Sequence, residues 1–149
     1  MKTYLLSLAV LMVCFSGVGA QSAPPLEEQL NTLWKQKNYP ELQKLIDAKT
    51  SANPPDILAL YCAKFCHNFV QPDKAKAMAA LRKLKTIAEA TKDKDFISFA
   101  DLELAGVIAI PEAEFTRNSP EILASMHTHF ANYPGIEFGI TYRNKFPKP

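Results

Sequence analysis

DILALYCAKFCHNF, residues 56–69, is the stretch whose reading decides the fold. Ile57, Leu58, Leu60, Tyr61, Phe65 and Phe69 put apolar side chains on nearly every side of a helix, leaving Lys64, His67 and Asn68 for a wet face. A helix of that kind belongs in the middle of a structure, covered on several sides. Leu58, Cys62, Phe65, Cys66 and Phe69 recur at spacings of three and four, so both thiols lie in one apolar seam. His67 points about 100° away from Cys66 while the segment stays regular helix.

Five more helical segments flank this one. Leu26, Leu30, Leu33 and Trp34 form a stripe with Glu27 and Glu28 in the first turn, where negative charge suits the helix dipole. Asn38-Tyr39-Pro40 breaks it, and Pro40 opens a second helix carrying Leu42, Leu45 and Ile46. SANPP, residues 51–55, ends that one. Beyond the central helix, Ala77, Met78, Leu81, Leu84 and Ala88 make a stripe with Lys76, Arg82 and Lys83 turned to solvent. A fifth helix runs from about Asp95 to Ala109, through Phe96, Phe99, Ala100, Leu104, Val107 and Ile108. After the loop PEAEFTRNS, Ser119-Pro120-Glu121 starts a sixth, and Tyr133-Pro134-Gly135 closes it. Six helices with short connections make three antiparallel hairpins.

WKQKNYPELQKLID, residues 34–47, resembles the turn between the two helices of a tetratricopeptide repeat. LYCAKFCHNFVQPDKAKAMAALRKL, residues 60–84, resembles the longer-loop relatives of that repeat, with Ala77 and Leu81 in the second-helix packing places. Two departures stand out: Cys62 and Lys37 occupy places where the repeat commonly has Gly. The resemblance covers about a third of the chain, and the third hairpin matches poorly. It implies an all-α array of three stacked hairpins over residues 26–134 whose concave side binds a peptide or partner protein. Because first helices line that side in such repeats, it nominates Lys35, Lys64, Asn68 and Glu103 as partner contacts. The physical reading agrees in outline, since each hairpin carries too much apolar surface to stand alone.

The tail reads differently. In GIEFGITYRNKF, Ile136, Phe138, Ile140 and Tyr142 alternate with polar or small residues, the period of a strand with one buried face. No second strand pattern accompanies it in the mature chain. Residues 135–149 are therefore expected as an extended arm that lies against the helices, pairs with a copy of itself, or joins a partner's sheet edge. These four apolar residues join the candidate contacts.

The opening residues MKTYLLSLAVLMVCFSGVGA have one Lys, a short apolar run and small residues at the end, the layout of a secretory signal peptide cleaved near Ala20. The apolar run is too short for a permanent span. The protein is expected to be exported, periplasmic or secreted, with residues 21–25 a flexible lead. Losing Lys2 with that segment leaves 16 basic against 15 acidic side chains, a net charge of +1, which gives no argument for nucleic acid.

Cys62 and Cys66 are then the only thiols of the mature chain, available as a disulfide or redox pair. Cβ atoms four apart on a helix sit about 5–6 Å from each other. A relaxed bridge wants about 3.5–4.5 Å. Covalent haem at C-A-K-F-C-H, with Met78, Met126, His127 or His129 as second ligand, is the alternative; its spacing is one residue longer than C-x-x-C-H. Packing of both cysteines in the seam is the simpler account. His127 and His129 diverge on a helix, and Glu112 and Glu114 have no nucleophile or base nearby, so the sequence proposes no metal, cofactor or reaction.

Overall fold

The structure is a computed structural model, and it describes residues 22–117 and 119–145. Among these the backbone is helical and free of strands: α1 (Leu26–Lys35), α2 (Tyr39–Thr50), α3 (Ile57–Phe65) continuing into a π-helical turn (Cys66–Val70), α4 (Lys74–Thr91), α5 (Lys94–Ala109), α6 (Glu112–Arg117), α7 (Ser119–His129) and α8 (Pro134–Lys145). The signal segment with its cleavage point at Ala20, and the last four residues of the expected arm, lie outside the described residues.

The starts of the middle helices are fixed by aspartates. Asp56, Asp73 and Asp93 each accept a hydrogen bond at 3.0 Å, from the backbone N–H of Ala59, Lys76 and Phe96. The turn between α1 and α2 is closed by Lys37 in the left-handed conformation, φ 54°. Lys92, φ 57°, ends α4 in the same way.

Consecutive helices pack on one another from α1 through α5, and α3 sits at the centre, covered by α2, α4 and α8. Trp34, Leu42, Ile46, Leu58, Leu81 and Phe96 anchor the core from five helices. Lys85 Nζ lies 2.6 Å from Asp101 Oδ1, tying the rim of α4 to α5. The outer side of α5 is open, with Leu102 71 % exposed and Ile108 52 % exposed.

Two expectations are corrected. PEAEFTRNS is not a plain loop: α6 forms in it, and its Phe115 is buried as the single apolar anchor. The extended arm is a helix, α8. Gly135, Ile136, Gly139 and Ile140, at steps of one, three and one, make a helical stripe facing inward, with the first three buried and Ile140 half-buried. A helix also satisfies its own backbone groups, which a lone strand leaves unpaired. The segment does cover the helices, as the arm was expected to, but in helical form. The side chains of Phe138 and Tyr142 lie outside the described residues.

Candidate binding site

The site begins with the return of the chain after α7. Trp34, fully buried at the end of α1, stacks on His127 of α7 with ring centres 3.8 Å apart and planes 12° from parallel. Its indole N–H donates to the carbonyl of Phe130 at 3.1 Å, and Tyr39 Oη lies 2.7 Å from His127 Nε2. Tyr133 follows: its backbone N–H donates to Asn31 Oδ1 at 2.9 Å, and its hydroxyl donates to the carbonyl of Cys62 at 2.6 Å. These bonds turn the chain so that α8 starts against Phe65. A Cβ on Gly135 would lie 3.1 Å from Phe65 Cβ and 2.8 Å from the Tyr133 ring, closer than packing allows.

This return shapes a partly open cavity of about 290 Å³ between α3, α5, α7 and α8. Tyr61 and Phe65 of α3, Phe69 of the π turn, Phe99 of α5, and Met126 and Phe130 from α7 and its end form the apolar walls. Tyr61 stacks on Phe99, centres 5.6 Å apart, and Phe65 meets Tyr133 edge-on at 5.3 Å. Lys64 and Glu103 form an ion pair at the cavity, with side chains only 26 % and 24 % exposed. Burial holds the Lys64 ammonium below the usual lysine range. Two of the nominated contact residues thus meet at one site. Lys35 is exposed beside a separate open groove lined by Trp34, Lys37, Tyr39, Leu123 and His127. Asn68 is half-buried, with its Oδ1 buried and no hydrogen-bond partner for that atom. Phe99, Met126 and Phe130 were not nominated: the first read as core, and the other two reach the site only through the return of the chain.

The thiols and the histidine occupy different surroundings. Cys62 and Cys66 are fully buried and unbridged. Burial, then the charge of Asp56, raises the Cys62 thiol well above its ordinary range. Burial, then the charge of Asp47, pushes Cys66 up to about 12. Both are protonated at neutral pH, whereas nucleophilic and ligating cysteines act as thiolates. His67 was expected on the wet face and is 1 % exposed. It follows the buried Ala63 by one helical turn, on a side of α3 that α2 and α4 cover; the π turn, closed by the Gln71 N–H on the Cys66 carbonyl five residues back at 2.9 Å, widens the helix only beyond that point. His67 Nε2 lies 3.3 Å from Asp47 Oδ1, and Lys76 Nζ holds the other oxygen at 3.2 Å. Nδ1 has no hydrogen-bond partner. No group of three or more His, Cys, Asp or Glu placed to hold a metal occurs among the described residues. His127 and His129 point apart, His129 Nδ1 bonding to the Ser125 carbonyl at 2.8 Å.

A pH dependence follows. Burial lowers the pKa of His67, outweighing the attraction of Asp47, and burial with the charge of Lys37 lowers that of His127. The unfolded chain then binds more protons than the folded one at a pH just below the ordinary histidine value of about 6.5. The stability that both groups contribute is present above that pH and lost as pH falls through their depressed folded values. The urea midpoint should decline between pH 7.5 and 5. In His127→Phe, which keeps a ring against Trp34, the decline should be shallower; an equal slope would remove His127 from this account.

Among the described residues no helix is long and apolar enough to cross a membrane. Comparisons with family models, with curated proteins and with solved structures return no match in any of the three.

Proposed function

We propose that the protein is an exported helical-hairpin binding module of tetratricopeptide-like build that receives an amphipathic partner helix along α3, without catalysis or cofactor. The observation that carries this reading is α8 itself: a helix of this chain already lies along the apolar side of α3, seated through Gly135 and Gly139. Helix-in-groove recognition uses that geometry, apolar anchors of one helix laid on a preformed face. The repeat build is supported by the consecutive packing of α1 through α5 and by left-handed Lys37. Export rests on residues 1–20. In this reading α8 holds the place until a partner, or α8 of a second copy, displaces it.

The test is a labelled peptide of residues 134–149 titrated into the chain ending at Tyr133, whose helix content is first checked by circular dichroism. Saturable binding is expected, weakened at least about ten-fold, about 1.4 kcal/mol, by Gly139→Leu in the peptide. The exported chain and its shortened form should also differ in the partners they capture. A folded shortened chain that ignores the peptide, or binds both peptides alike, would refute the reading. The rival reading, a redox or haem protein using Cys62, Cys66 and His67, draws no support from buried protonated thiols and an imidazole turned to Asp47.

A further inference from the structure

We propose that the cavity between α3, α5, α7 and α8 is a binding site for a small, flat, largely apolar molecule of about two fused rings that carries one neutral hydrogen-bonding group. This goes beyond the partner-helix reading and does not depend on it, because the cavity is formed with α8 in place.

Size comes first. Protein interiors are packed to the density of organic crystals, with few voids larger than a water molecule. A partly open space of about 290 Å³ with mainly aromatic walls is far larger than such voids. An engineered apolar cavity of about 150 Å³ takes up benzene, and dedicated ligand sites begin at about 300 Å³. Roughly double the benzene-sized space suits a bicyclic molecule. Phe65, Phe69, Phe99 and Phe130 offer ring faces and edges, and Met126 a polarisable thioether, which favour a flat aromatic ligand over a branched aliphatic one.

The charge of the ligand follows from Lys64 and Glu103. The two already neutralise each other. An anionic head would have to draw Lys64 away from Glu103, and a cationic head the reverse, leaving a half-buried charge without its partner. A hydroxyl or ring N–H needs neither, since the carboxylate keeps lone pairs free to accept from it. Phe130, 42 % exposed, lies at the outer edge of the lining and offers the way in.

The probes are naphthalene and 2-naphthol, titrated at pH 7 into residues 21–149 carrying ¹³C-methyl methionine. The Met126 methyl signal should move with saturation at one equivalent, and that of Met78, on α4, should stay. 2-Naphthol should bind several-fold more tightly than naphthalene, and Lys64→Met with Glu103→Leu should abolish that preference while retaining naphthalene. Met126→Trp, which fills the space, should weaken both by at least about ten-fold, whereas Met126→Leu should change them by less than about two-fold. The proposal is overturned by no saturable shift of Met126 in the unmutated chain, by a Met78 shift without Met126, or by undiminished binding to folded Met126→Trp.

Discussion

Trp34→Ala should lower the free energy of unfolding by about 3–5 kcal/mol, the range for deleting a large buried aromatic. Few substitutions in this chain should cost as much. Trp34 is fully buried, stacks on His127, leans on Tyr39 and Tyr133, and donates to the Phe130 carbonyl. It joins α1 to the end of α7, so its loss removes core area and the hold on the chain's return together. Against a total stability of about 5–15 kcal/mol, such a loss leaves a marginal fold. Trp34→Phe keeps a ring in the stack and gives up the indole N–H, so it should cost distinctly less. Trp34 is the only tryptophan, so the variants must be followed in urea by circular dichroism. A change below about 1 kcal/mol in Trp34→Ala would show that α7 is held by something else.

Most of the helices were legible because their stripes recur every three or four residues and their ends carry Pro, Asp or Asn, as at Pro40, Asp56 and Asp73. The central placement of residues 57–65 followed from apolar side chains all round. Where the reading failed, the pattern within the segment did not carry the deciding contact. His67 lies in the interior because the side of α3 that it shares with buried Ala63 is covered by α2 and α4, and hydropathy along one helix does not say which neighbours cover a polar residue. α6 has one turn and a half and one buried residue, Phe115, too little periodicity to detect.

The tail was ambiguous for a different reason. Ile136, Phe138, Ile140 and Tyr142 fit a period of two, yet Gly135 and Gly139 fit a helix that must approach another closely. Glycines add nothing to an apolar count, so the close approach was invisible. The same holds for the cavity. Lys64 and Glu103 stand 39 residues apart, and first-helix faces alone nominated both. Met126 and Phe130 join them only because Trp34 and Tyr133 turn the chain back, and no spacing in the sequence encodes such a return.

Gly139→Leu tests that return from the α8 side and should destabilise the chain by about 2–3 kcal/mol. A Cβ at this position would already overlap Leu58 Cδ1 and lie 3.3 Å from Tyr61 Cβ. Leu58 is 1 % exposed and packed on its other sides, so it has little room to yield. The larger side chain therefore has to push α8 away from α3, exposing Ile136 and the face of Leu58 that it covers. Helix propensity works in the other direction, since leaving Gly gains up to about 1 kcal/mol. Gly106 separates the two effects: it lies within α5, and a Cβ there meets nothing within 4 Å. Gly106→Ala should therefore stabilise by up to about 1 kcal/mol, opposite in sign. Combining Gly139→Leu with Leu58→Ala should cost less than the sum of the two single changes by about 0.5–3 kcal/mol, because the new side chain fills the space that the shortened one vacates. Strict additivity of the pair, or a Gly139→Leu chain as stable as the unmutated one, would mean that α8 does not rest on Leu58.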